Sequence, residues 1–272
     1  MALSIDESGL RVSDGGATGP RETEGPGTFV TGAGPVVTTS WDDGHPTDLR
    51  LAELLDRLGL AGTFYVPVRN PERPVCPPRE IRQLGQRFEI GAHTISHRRL
   101  VGLDASEMHA EIAGGREVLE DLLGRQVTAF CYPGGKFSRR VRTEVERAGF
   151  VVARTTMGFR HDWAVDRLLL PTSVQAFPHP VGTHVRHALK EGNWSGAGNC
   201  LIYAAVPRRD WARVAVRLLG EAVRKHGWWH LWGHSWEIEA LDAWDDLASV
   251  LREAAASGAR PVTNTELGSL VE

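Results

Sequence analysis

From Pro35 onward the chain alternates short, almost wholly apolar runs with longer stretches in which apolar positions recur every three or four residues. The first pattern is that of strands covered on both faces and the second that of helices burying one side, so their alternation predicts a parallel sheet with helices packed around it. The predicted strands are 36–40, 63–67, 88–91, 127–132, 150–153, 168–170, 228–232 and 261–263. A helix is predicted over 48–58, where Leu51, Leu54, Leu55 and Leu58 share one face and Gly59 supplies the stop. Others are predicted over 104–123, 138–148, 211–225 and 240–256. This order suits a closed β/α barrel or an open doubly wound sheet, and in both the chemistry gathers at the carboxyl ends of the strands. The stretch from Thr172 to Arg209, rich in Pro, Gly, Asn and His, has no readable period.

Residues 1–34 are rich in Gly, Ser, Thr and Pro without hydrophobic periodicity, and are expected to form a flexible tail ahead of one catalytic domain over 35–272. With 42% hydrophobic and 24% charged residues the composition is that of an ordinary globular protein. A formal charge of -3 gives no general attraction to nucleic acid or anionic lipid. Cys76, Cys131 and Cys200 are scattered and form no CxxC pair, which disfavours a disulfide framework and a zinc ribbon. The opening residues hold no continuous apolar segment, and no later run is long enough to span a membrane, so a cytoplasmic location is expected.

The polar clusters follow the predicted strands. After the strand ending at Gly91 comes AHTISH, where His93 and His97 stand four apart, a spacing that lets two imidazoles converge on one ion from a tight turn. Spacing alone does not decide the matter, because His226 with His230 and His230 with His234 repeat it. His230 lies in a predicted strand, where four residues extend about 13 Å, so His230 and His234 should not share an ion. After the first strand comes WDDG. Two histidines and one carboxylate form a common set for a catalytic divalent ion, and Asp43 can complete it. Adjacent side chains leaving a strand point to different sides, so Asp42 can instead stand beside the water to be activated and take its proton. The competing reading of WDDG is an ordinary turn.

TTSWDDG, HTISH, CYPGG and LWGHS, in that order, resemble the successive motifs of the polysaccharide deacetylase family of the NodB homology type, carbohydrate esterase family 4. The resemblance implies a distorted (β/α)7 barrel that hydrolyses an acetamide or ester on a sugar with one divalent metal, zinc first, with cobalt, nickel or manganese as alternatives. It implies Asp42 as general base, Asp43, His93 and His97 as metal ligands, and His234 as general acid. It also implies Tyr132, Pro133 and Gly134 as the substrate and oxyanion segment. In the third motif this chain reads FCYPGG, with Cys131 where the family commonly has an Arg that holds the base; a thiol cannot form that ion pair. Arg154 is then either the replacement or a surface arginine. Asp162 and Trp163 in RHDW resemble the family's groove-lining DW element, whose acidic residue supports the other catalytic groups. Most of the five tryptophans from Trp228 to Trp244 are expected in the core, and Glu237 and Glu239 are expected to face solvent. The expected substrate is a small acetylated sugar, saccharide or glycoside. Two further readings remain: hydrolysis of a formamide or cyclic ureide on the same fold, and a sugar-binding homologue without turnover.

Overall fold

The computed structural model describes residues 34–179, 196 and 210–271. The expected tail at 1–34 lies outside the described residues except for Gly34, and so does most of the unreadable stretch ending at Arg209.

The strands are β1 (Val36–Asp42), β2 (Thr63–Val66), β3 (Glu89–Ala92), β4 (Ala129–Cys131), β5 (Val152–Arg154), β6 (Val174–Gln175), β7 (Trp228–Gly233) and β8 (Arg260–Pro261). They pair in the order β5-β4-β3-β2-β1-β7-β6, all in parallel, with β8 beside the start of β1. One segment joins the two ends of that path. Leu170 bridges Arg154, its N–H donating to Ala153 O at 2.8 Å, and four residues later Val174 pairs with Leu231. The sheet thereby curls into the distorted seven-position barrel expected from the motifs.

The helices are α1 (Asp48–Arg57), α2 (Pro78–Gly85), α3 (Ala105–Leu123), α4 (Arg139–Arg147), α5 (Trp211–Arg224), α6 (Ser235–Ala240), α7 (Trp244–Ala256) and α8 (Asn264–Gly268). The predicted strand at 168–170 is instead a 3-10 turn over Arg167–Leu169, because the Asp166 side chain accepts the Leu168 N–H and the strand pairing starts later. The helix predicted over 240–256 starts only at Trp244, as α7, because Asp242 at φ 50° separates it from the short α6 that precedes it. The pattern also missed α2, which buries only Ile81 and Leu84. None of the helices among the described residues is long and apolar enough to cross a membrane.

Alternation along β1 sorts its side chains. Val37 and Trp41 join Leu51 and Leu55 of α1 and Phe64 of β2 in the core between sheet and helices. On the other face Val36 packs with Tyr65, Trp228 and Leu267, and the next residues on that face become polar. Thr38 Oγ1 accepts from Asn264 Nδ2 at 2.9 Å, Ser40 Oγ lies 2.8 Å from His230 Nε2, and Asp42 ends the row. The row therefore turns from apolar to charged toward the strand's carboxyl end.

Gly91 is needed for this packing: a Cβ there would stand 2.4 Å from the ring of Tyr65. That ring is fully buried and its hydroxyl donates to Asn264 Oδ1 at 2.8 Å, so it cannot swing aside. Gly91→Ala is expected to cost about 1–3 kcal/mol, read as a lower midpoint in urea denaturation.

Candidate active site

β1 ends at Asp42, and the chain turns through Asp43 at φ 78° and Gly44 at φ 58°. A Cβ on Gly44 would fall 2.8 Å from Val66 Cγ1, so both the left-handed backbone and the close approach require glycine. Asp43 tolerates its own left-handed backbone as Asp can. The second cluster follows β3 as a tight turn, with Thr94 at φ 70° and His97 at φ 56°. Glu111 of α3 holds that turn: its carboxylate accepts the Ser96 N–H at 2.9 Å and the Ser96 hydroxyl, and its carbonyl accepts the Ile95 N–H at 3.1 Å. Three non-glycine residues with left-handed backbones thus gather where the polar side chains meet, as strain often does at functional sites.

Asp43 Oδ1 lies 3.1 Å from His97 Nε2 and 4.0 Å from His93 Nε2. It is buried, yet neither imidazole is aligned to hydrogen-bond it. Three donor atoms within 4.8 Å of one another, one of them an unsatisfied carboxylate oxygen, fit ligands of one divalent ion better than hydrogen-bond partners. His93 Nδ1 donates to Cys131 O at 2.8 Å, which turns Nε2 toward Asp43, the usual orienting contact of a ligating histidine. Burial pushes the His93 pKa down to about 4, so the ring stays neutral. Burial would raise Asp43, but the contact with His97 and the charges of His234 and His93 outweigh it and hold the carboxyl well below its usual range. His97 shifts up, because Asp43 overcomes the effect of burial. A cation there would compete with that proton for the same lone pair. Asp43 Oδ2 accepts from Trp236 Nε1 at 2.9 Å, a contact that the spacing of motifs could not reveal.

A second group, Asp42 with His93 and Cys131, is equally compact. It does not fit an ion, since burial raises the Cys131 thiol far above its usual range and Asp42 is already engaged.

Asp42 has a buried partner. Arg154, fully buried at the end of β5, donates from Nη2 to Asp42 Oδ1, and the Cys131 thiol lies 3.6 Å from Oδ2. The guanidinium also sits 4.7 Å from the ring centre of Trp232 and 5.3 Å from that of Tyr65. Burial would raise Asp42, but Arg154, His93 and His234 together lower it, so it is ionised. Of the two readings of Arg154, the surface arginine is excluded.

His234 follows β7 and lies between Trp232 and Trp236, at ring-centre distances of 5.7 and 5.2 Å. Its Nε2 is 4.0 Å from Asp43 Oδ2, and its Nδ1 is 2.7 Å from Glu237 Oε2. Burial would depress this histidine, but the Glu237 contact and the Asp42 charge raise it. The solvent-facing expectation for Glu237 is therefore wrong: only 14% of its side chain is exposed, because the first turn of α6 folds it back under His234. Glu239 does face solvent and pairs with Arg50 at 3.0 Å.

The other sequence candidates divide by what their polar groups are already bonded to. The Tyr132 side chain is buried with its hydroxyl donating to Leu168 O at 2.8 Å, and its N–H is directed to Arg154 O at 3.3 Å. Pro133 has no N–H, so of the three only the exposed Gly134, at φ 62°, can offer a backbone donor. Asp162 is gripped by Arg160 at 2.6 Å, and Trp163 Nε1 donates to His226 O at 3.0 Å. Both stand beside Trp228, at the start of β7 rather than its end, because the chain after β5 runs back along Thr172 and Ser173. They do not join the site. His230 stays apart too, bonded to Ser40 inside the barrel.

Below the cluster lies Asp48, fully buried, with Oδ1 accepting from the Ser235 hydroxyl and Oδ2 without a partner. Burial first, then the charge of Asp43, pushes its pKa up to about 8 against the attraction of Ser235.

Two predictions follow from these buried charges. Arg154→Met leaves Asp42 ionised without a partner and is expected to cost about 3–5 kcal/mol, measured by chemical denaturation. Asp48 keeps its proton in the folded state up to about pH 8, whereas the unfolded chain releases it near the ordinary value of 3.8. The folded state thus binds more protons between those values, and stability falls as pH rises through that window. Asp48→Asn is expected to flatten that slope and to melt at a higher temperature than the parent at pH 8.

Residues 30–153 match the family model described as polysaccharide deacetylase. YxkH of Bacillus subtilis (strain 168), provisionally named a polysaccharide deacetylase, is 23% identical over 123 residues, 44% of each chain, so the match spans less than half of that relative. The chitin deacetylase of Colletotrichum lindemuthianum superposes with a TM-score of 0.57 at 15% identity, covering 86% of this chain and 88% of that one. A family 4 acetyl xylan esterase from Clostridium thermocellum, solved with a cobalt ion, superposes with a TM-score of 0.53 at 18% identity, covering 87% and 93%. At these identities the superpositions establish the fold, the NodB-type barrel, and Asp42, Asp43, His93, His97 and Cys131 all fall inside the matched sequence. Through residues 30–153 by sequence, and through the barrel by fold, this chain is similar to the polysaccharide deacetylases.

Proposed function

We propose that this protein is a divalent-metal-dependent hydrolase that removes the N-acetyl group of an amino sugar, saccharide or glycoside, releasing acetate and a free amine. The observation that carries the reading is the unsatisfied, buried Asp43 Oδ1 between His93 and His97, with Asp42 and His234 close enough to share its field. The names of the fold relatives, a chitin deacetylase and an acetyl xylan esterase, support the acetyl group and the saccharide.

Asp43, His93 and His97 would hold the ion. Zinc suits the donor set best, with cobalt, nickel or manganese as alternatives. A bound divalent ion supplies Lewis acidity, lowering the pKa of a water and polarising the acyl oxygen. Asp42, kept ionised by Arg154, accepts the proton of the attacking water at a carboxylate oxygen. The Gly134 N–H is the backbone donor for the oxygen that becomes negative. His234 passes a proton from Nε2 to the departing nitrogen, which cannot leave as an amide anion. Trp236 fixes the orientation of Asp43 through Oδ2, so Oδ1 remains the oxygen that faces the imidazoles. A small soluble substrate in the cytoplasm belongs to the same proposal, supported by the free, buried thiols of Cys76 and Cys131.

Elemental analysis of the purified protein with an acetate-release assay on N-acetylglucosamine oligomers tests the reading. Asp43→Ala and His97→Ala are expected to lose the metal. Asp42→Asn is expected to keep it while acetate release falls by about 10²–10⁴. Unchanged release by Asp42→Asn would refute the base assignment, and turnover confined to formyl amides or cyclic ureides would replace the sugar.

A further inference from the structure

The proposed acid needs its proton at one particular ring nitrogen. His234 Nε2 faces the Asp43 side of the cluster, so the opposite nitrogen, Nδ1, must be held as the N–H that points away. Glu237 Oε2 is 2.7 Å from that Nδ1 and 14% of its side chain is exposed. The same carboxylate oxygen lies 3.4 Å from Gln175 Nε2 on β6, and Gln175 Oε1 is 2.8 Å from His179 Nε2. The carboxylate is thus approached from two elements, the turn after β7 and the strand beside it. Trp232 and Trp236 restrict the ring from the sides. Asp162, the acidic residue that the motifs offered for a supporting role, is occupied by Arg160 near the start of β7.

We propose that Glu237 is the positioning residue of His234, fixing the Nδ1 proton and the ring plane so that Nε2 is the atom that delivers a proton to the leaving group. This rests on the deacetylase reading for its consequence, though not for its geometry. Glu237 touches neither the ion-binding set nor the reacting atoms; it acts through His234. Losing it should matter in proportion to how much the leaving group needs a proton. An amine leaving from an amide needs one, whereas p-nitrophenolate leaves from an aryl ester without one.

The test compares Glu237→Gln, Glu237→Ala and the exposed control Glu239→Gln in metal-loaded protein, with metal content verified for each. On tetra-N-acetylchitotetraose, kcat of Glu237→Gln is expected to fall about a hundredfold with KM unchanged. On p-nitrophenyl acetate its rate is expected to equal the parent's, and Glu239→Gln should match the parent on both. Equal losses on the two substrates, or no loss on either, would overturn the proposal. A readout independent of turnover comes from spectra of protein labelled with ¹⁵N-histidine, in which the His234 signals are those missing from His234→Gln. The parent is expected to show a protonated Nδ1 in hydrogen-bonded contact, and Glu237→Ala, which leaves no acceptor there, to lose it. A parent that turns over neither substrate would sink the deacetylase reading alone; an Nδ1 proton unchanged in Glu237→Ala would then overturn the positioning role.

Discussion

An ionised carboxylate at the end of β1 is tolerable in this barrel because a guanidinium is buried against it. Asp42 and Arg154 are both nearly or wholly withdrawn from water, and either alone would be an uncompensated charge in a medium that stabilises charge poorly. Their pairing ties β1 to β5 across three intervening strands, so the site's electrostatics and the packing of distant parts of the sheet depend on the same contact. The polar row beneath it follows. Once the top of the barrel carries charge, Ser40 with His230 and Thr38 with Asn264 provide a graded passage from that charge to the apolar packing around Val36 and Trp228. Each of these groups has a partner inside the protein, which is the condition on which polar residues can be buried at all.

The same economy of partners shapes the ion-binding set. His93 uses one nitrogen on a backbone carbonyl, Asp43 uses one oxygen on the Trp236 indole, and what remains, two nitrogens and one oxygen, points into a common space. The unsatisfied atom matters more than the proximity. Many surfaces bring acidic and imidazole groups together, but a buried carboxylate oxygen lacking any donor is a cost that a cation removes. Strain serves the same end: Asp43, Thr94 and His97 hold backbones that β-turns of ordinary sequence avoid, and Glu111 clamps the second of these turns from α3.

Much of this could be read before any coordinates existed, for a physical reason. Strands buried on both faces must be apolar, and residues that follow them must be polar, so β1, β3 and β7 announced both themselves and the clusters at their ends. His93, His97, Asp42 and Asp43 were legible because they are local to those ends. Partners contributed from elsewhere in the chain were not. Arg154 lies 112 positions from Asp42, and nothing in its neighbours distinguishes a buried arginine from a surface one. Glu237 was misread because a carboxylate in the first turn of a short helix ordinarily faces water, and only the fold-back toward His234 reverses that. Asp162 and Trp163 failed for the opposite reason: a dipeptide resemblance carries no information about which end of the barrel the chain has returned to. The strand placed at 168–170 illustrates a related ambiguity, since three apolar residues serve a 3-10 turn as well as a strand.

The cysteine in the third motif is explained by register. Cys131 and Arg154 are paired residues on adjacent parallel strands, β4 and β5, so their side chains leave the sheet on the same face about 5 Å apart. An arginine at 131 would approach Asp42 from β4; an arginine at 154 approaches it from one strand farther out, and the length of the side chain covers the difference. The two positions cannot both carry a guanidinium, because one carboxylate cannot compensate two buried cations. The position nearer Asp42 must also stay small enough to let the longer side chain pass. Cysteine meets that requirement and keeps a weak S–H donor directed at the second oxygen of Asp42. The thiol and the arginine therefore form a single solution to holding one carboxylate, with the guanidinium reaching it from the strand beyond the one that carries the thiol.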